Sequence, residues 1–171
     1  MPRIYVRLPV VDKTQVYELM VAKIQADRDF VRGAAVAARD AATHDESRAE
    51  DSHDTRAIEA SYLAGAAAER ALDLDKLVTY IRALGAEARD RAVEGALVTL
   101  AGEDGGGEAR TTYCWLAARS GGPTVKLGAA TIQWVTPQSP LGEAVWGKAV
   151  GDSFEVEMQA TTREYEVTRI D

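Results

Sequence analysis

Between His44 and Asp54 the chain sets Asp45, Glu46, Glu50, Asp51 and Asp54 around a single Arg48, with almost no apolar side chain. Carboxylate oxygens are hard ligands that suit Mg²⁺, an ion that takes one or two protein carboxylates and completes its shell with water and phosphate oxygens. Two carboxylates on a polar turn cannot hold Mg²⁺ tightly alone. They would complete a site whose other ligands belong to a partner and its substrate, as in two-metal phosphoryl chemistry. The plainer alternative is a solvated, charged turn that keeps the protein soluble.

Other chemistries are opposed by what the chain lacks. There is no G-x-S-x-G elbow, and Gly105-Gly106-Gly107 lacks the Lys-Ser/Thr of a phosphate-binding loop. His44 and His53, the two histidines, both fall in the acidic stretch, far from Cys114 between Tyr113 and Trp115. That separation opposes a Cys–His catalytic pair and reads Cys114 as a small buried hydrophobe. A lone cysteine forms no internal disulfide, and the Cys and His ligands of a structural zinc site are too few. The net charge is −7, from 20 Lys+Arg against 27 Asp+Glu, so a phosphate-led grip on duplex DNA is not expected. No window approaches the ~18 apolar residues of a membrane span. The run Ile4–Val11, broken by Arg7 and Pro9, is too short and polar for a signal peptide. A soluble cytoplasmic protein is expected.

Two textures must position these groups. Residues 12–90 are rich in alanine and charge and contain no proline, which favours helix. Ala57, Ala60, Leu63, Ala67, Ala71, Leu74, Val78, Ile81 and Gly85 recur at steps of three and four, the spacing of a coiled-coil seam. Tyr17, Met20, Ile24, Val31, Ala35, Ala38 and Ala42 make a second stripe, broken near Arg28. Two such helices flanking the polar break at 44–54 should fold back as an antiparallel hairpin with an acidic tip. Asp54 suits the N-cap of the second helix.

Residues 92–171 read instead as short strands: 95–100, 111–117, 124–127, 131–136, 154–158 and 163–169. One short helix is signalled among them, with Ser139 as N-cap, Pro140 at the first position and Gly147 just past the end. Leu141, Val145 and Trp146 should face the sheet. The fold class is α+β: a helical hairpin, then a small antiparallel sheet with one helix packed on it. Residues 1–11 form a strand-like segment, Ile4–Leu8, expected at the sheet's edge.

The run Ser139-Pro140-Leu141-Gly142-Glu143-Ala144-Val145-Trp146-Gly147-Lys148, continuing into Val150-Gly151-Asp152, resembles the S-P-[IL]-G/A-x-A-[LIV]-[LIW]-G-K-x-V-G-D signature of the Gre-type bacterial transcription factors. Arg163–Val167 resembles the family's last strand, and a hairpin with an acidic tip matches its architecture. The resemblance implies an FK506-binding-protein-like domain at 92–171 that docks on the rim of RNA polymerase's secondary channel. It also implies a coiled coil at 12–90 that enters the channel, with contact to the RNA 3′ end only indirect. Gln138, Ser139, Pro140 and Leu141 would then meet the polymerase, Gln138 standing where the family carries an acidic residue.

The resemblance further implies that Glu50 and Asp51, the counterpart of the family's Glu-Asn, share a Mg²⁺ with the polymerase and stimulate cleavage of backtracked RNA. Asp45 and Glu46 come next. Ser47 stands where the family's tip has aspartate. On this reading the protein is a factor acting on the polymerase, not itself an enzyme, and no tightly bound cofactor is expected. Two alternatives remain: a non-cleaving regulator or inhibitor using the same channel, and an unrelated FKBP-like or coiled-coil interaction module.

Overall fold

The computed structural model describes residues 10–46, 56–103, 108–158 and 161–171, with side chains described over 10–41, 58–103, 108–157 and 161–171. Two helices come first, α1 (Lys13–Glu46) and α2 (Arg56–Leu84). Asp12 caps α1: its carboxylate accepts from the Gln15 amide at 2.8 Å while its carbonyl accepts from Val16. The first helix runs through His44, Asp45 and Glu46, and so extends into the polar stretch expected to break it. Extending a formed helix adds one hydrogen bond per residue fixed and needs no apolar partner. The rest of the acidic stretch, and Ile4–Leu8, lie outside the described residues.

Residues Val21–Arg82 form one compact unit, the helical hairpin. Its seam on α2 is Ala60, Ala64, Ala67, Ala71, Leu74, Val78 and Ile81, a strict alternation of four and three. Leu63, expected in that seam, is 66% exposed, because the strict heptad passes through Ala64 instead. On α1 the matching series is Ile24, Arg28, Val31, Ala35 and Ala38, so an arginine occupies a seam position. Arg28 turns its guanidinium to Asp29 at 2.8 Å and to Asp75 of α2 at 3.5 Å, and Arg32 reaches Asp75 at 2.5 Å. The break in the stripe is a cross-helix ion cluster. Leu74, Val78, Ile81 and Ile24 are buried, whereas the seam alanines farther along, from Ala60 to Ala67 and at Ala35 and Ala38, are only half-buried.

The second unit joins the described residues up to Met20 with Ala83–Asp171. Its sheet comprises β1 (Leu97–Glu103), β2 (Ala109–Leu116), β3 (Val125–Leu127), β4 (Ala130–Val135), β5 (Ser153–Met158) and β6 (Thr161–Ile170), with α3 (Pro140–Val145) between β4 and β5. The order is β3-β4-β2-β1-β6-β5. All neighbours are antiparallel except β2 and β4, which correct the fully antiparallel expectation. The cause is the short β3: it takes the outer edge and turns the chain back, so β4 returns alongside β2 in the same direction. The first strand begins two residues later than read, because Gly95 has φ +81° and belongs to a turn.

Both faces of the central strands are covered, which is why β2 shows a run of buried residues, Tyr113–Leu116, without alternation. One face packs Val98, Leu100, Cys114, Leu116, Phe154, Val156, Tyr165 and Val167 with Val145 of α3, and Leu141, Ala144 and Trp146 lean on the same core. The sheet-facing side of α3 is as the sequence predicts. Cys114 is a buried thiol whose pKa burial pushes up to about 12, which makes it an inert packing group. On the other face Trp115 meets the start of α1, with the Tyr17 ring 6.4 Å away and the Lys13 ammonium 5.6 Å from its centroid. Among the described residues no helix is long and apolar enough to cross a membrane.

Candidate docking site

The signature segment begins at a turn. The Thr136 carbonyl accepts from the Ser139 amide at 3.0 Å and from the Ser139 hydroxyl at 2.8 Å. The same hydroxyl oxygen accepts from the Gly142 amide at 3.1 Å, so Ser139 is the N-cap and its O–H and lone pair are both engaged. Pro140 opens the helix with its φ already helical and no amide to satisfy. Gly142 is fixed by crowding: a β-carbon there would lie 1.8 Å from the Thr136 carbonyl oxygen. Neither Thr136 nor this clash is visible to a reading of caps and breakers alone.

At the other end Trp146 is the C-cap, donating its amide to Gly142 at 3.0 Å, and Gly147 takes φ +79° as the residue past the end. Gly147 then exchanges bonds with the segment that follows α2. Its amide donates to the Ala92 carbonyl at 2.7 Å, the Ala92 amide donates to the Lys148 carbonyl at 2.8 Å, and Arg91 donates to the Gly147 carbonyl at 3.1 Å. Asp152 accepts the Ala149 amide at 2.8 Å, and its own amide returns to the Ala149 carbonyl at 3.1 Å. Gly151 (φ +93°) and Asp152 bridge to Val167 of β6. The whole of 136–152 is therefore a braced surface element.

Of the candidate partner residues, Gln138 and Pro140 are exposed, Ser139 is half-buried by its capping bonds, and Leu141 packs toward the core. Asp45 and Glu46 close α1, with side chains outside the described residues, and Glu50 and Asp51 lie outside them altogether.

A second polar cluster carries no mark in the sequence. Lys13, only 7% exposed, donates to the Glu87 carbonyl and, at 3.0 Å, to the Asp171 backbone oxygen. Burial first, then the Arg89 charge, lowers its pKa from 10.5 to about 8, with Asp171 and Glu87 opposing. Arg89 itself donates to the carbonyls of Leu84, Glu87, Ala88 and Glu94, closing the end of α2 and the turn before β1. These cations hold backbone oxygens; the arrangement is a structural fastening.

The sequence family described as transcription elongation factor, GreA/GreB, C-terminal, matches residues 128–171. No curated protein matches the chain. Among solved structures, the chain is similar to that of the transcription factor Gfh1, at 19% identity and TM-score 0.35, over 89% of this chain and 93% of that one. It is also similar to GreA factor homolog 1 of Thermus thermophilus, at 16% identity and TM-score 0.35, over 91% and 94% of the two chains. A third is Gfh1 of Thermus aquaticus, at 17% identity and TM-score 0.32, over 90% and 94%. The matched family segment contains all of α3 and the β5–β6 pair, the stretch on which the sequence resemblance rests.

Proposed function

We propose that the chain is a Gre-like transcription factor that binds RNA polymerase, docking through α3 and its flanking turns while the hairpin enters the secondary channel. There the tip carboxylates stimulate cleavage of backtracked RNA by the polymerase's own active site. The observation that supports docking is the braced signature, Ser139 to Asp152, inside the segment matched by the GreA/GreB family. A binding surface fixed before contact loses little entropy on association.

Glu50 and Asp51, with Asp45 and Glu46 behind them, are a donor set of hard oxygens that fits Mg²⁺. An ion shared with the polymerase would stabilise charge on the attacking water and the scissile phosphate. The chain's part is to deliver the carboxylates; the polymerase supplies the remaining ligands and the RNA. The test is twofold: stoichiometric co-purification with RNA polymerase, then transcript cleavage on a stalled elongation complex.

One observation favours a second reading. Ser47 stands three residues before Glu50, where the family's tip carries aspartate. A tip short of one ligand would occupy the channel without promoting cleavage, and the protein would act as a regulator or inhibitor. Binding without cleavage selects this reading.

A further inference from the structure

Past α3 the chain presents Val150, 57% exposed and the single strongly exposed large apolar side chain among the described residues of Ala83–Asp171. A lone surface valine is ordinary; the loop that carries this one is not. Two glycines at positive φ, Gly147 and Gly151, bracket it. The amides of Gly147, Lys148, Ala149, Gly151 and Asp152 are all bonded within the fold, at 2.7–3.1 Å. The loop is tied back at three points: to Ala92 and Arg91, to Val145 of α3, and to Val167 of β6.

The fold thus spends many bonds to hold one apolar side chain outward. Asp152 turns its carboxylate into the loop, onto the Ala149 amide, so it is not offered to a partner. The loop's remaining charge is Lys148, and Arg91 stands beside it on the Gly147 carbonyl. A surface that fits this loop offers an apolar socket with an acidic rim.

We propose that the polymerase-contacting surface extends beyond the start of α3 to the 147–152 loop, with Val150 as its apolar contact and Arg91 as the residue that positions it. The proposal rests on the docking reading above and deepens it. The partner surface is an acidic-rimmed socket on the polymerase itself. Because α3 has only six residues, ~9 Å at the helical rise, Pro140 and the loop lie at the two ends of one short element, within reach of a single partner surface.

The test measures binding of the full chain to RNA polymerase core enzyme, alongside thermal unfolding. Val150→Asp should weaken binding about tenfold or more and Val150→Thr about threefold, with unfolding unchanged, as for a contact in a desolvated spot. Arg91→Ala should weaken binding about threefold, and Arg91→Lys, which keeps a donor for the Gly147 carbonyl, should restore it. Parent-like binding by both Val150 variants, while the parent binds tightly, overturns this inference and leaves the docking reading standing. If Val150→Asp fails to fold, the Val150→Thr affinity decides alone. Failure of the parent to bind polymerase overturns both.

Discussion

The carbonyl oxygen of Thr136 occupies the space that a β-carbon on residue 142 would need, 1.8 Å from its ideal position. That oxygen also receives two bonds from Ser139, so it is not free to move aside. The glycine and the cap are therefore one device.

Gly142→Ala should cost about 1–3 kcal/mol through overpacking against backbone. Thermal unfolding of the variant measures it. A parent-like midpoint would mean that the turn at 136–139 yields more easily than its bonds suggest.

Ser139→Asp keeps an acceptor for the Gly142 amide but loses the hydroxyl that donates to Thr136, and it sets a carboxylate against that carbonyl. The equivalence of serine and aspartate as caps fails here, and the variant should lose on the order of 1 kcal/mol. Ser139→Thr keeps donor and acceptor and should unfold like the parent. The pair of midpoints checks this.

Leu74 is buried in the hairpin seam. Leu74→Asp puts an unpaired charge there and should cost several kcal/mol, roughly 3–5. Leu63→Asp, at the exposed position beside the seam, should change stability by no more than about 0.5 kcal/mol. Helicity against temperature, followed by circular dichroism, distinguishes the two.

Lys13 makes stability depend on pH. Its folded pKa, about 8, lies below the ordinary 10.5, so between these values the unfolded chain binds the proton more readily and stability rises with pH. Below pH 8 both states are protonated, and the full cost of burying the charge is carried. Cys114 opposes this above its ordinary value of 9, because the unfolded thiol ionises while the buried one does not. Lys13→Met leaves the Cys114 contribution and removes the other. The parent-minus-variant difference should therefore climb by about 1–3 kcal/mol from pH 8 to 10.5, read by denaturant unfolding at each pH. A flat difference would show that Lys13 keeps its ordinary pKa.

Converting Glu50 and Asp51 together to Gln and Asn removes charge while keeping size. Polymerase binding should persist and RNA cleavage should fall at least about tenfold, ~1.4 kcal/mol of barrier, with partial rescue by added Mg²⁺. Equal cleavage by parent and double variant at low Mg²⁺ would exclude these two as the ligands.

Local chemistry was legible in the sequence, and distant pairing was not. Ser139, Pro140 and Gly147 announce α3 because caps, φ preference and the C-terminal glycine act within one turn. The strands' positions follow from apolar runs between glycines. The choice between Leu63 and Ala64 was missed because both fit a step of three or four, and only the strict alternation on to Ile81 separates them. Arg28 reads as a flaw until Asp75, on the other helix, is placed beside it. Lys13 gives no signal at all, since its partners Glu87 and Asp171 stand 74 and 158 positions away. The parallel β2–β4 pair is likewise set by which strand takes the edge.

The cover that α1 lends to Trp115 has a consequence for how the protein is made. The sheet unit is discontinuous in the chain, its first piece ending near Met20 and its second beginning at Ala83. A fragment cut to 92–171 would leave Trp115 without the α1 turn that carries Lys13 and Tyr17, and should be prone to aggregate. During synthesis Lys13 and Tyr17 leave the ribosome long before the strand they meet, so this unit closes last, by a contact of high order. The hairpin between them forms from neighbours in sequence. By pairing early it shortens the effective loop that must be closed, making the inserted helices an aid to assembly of the sheet.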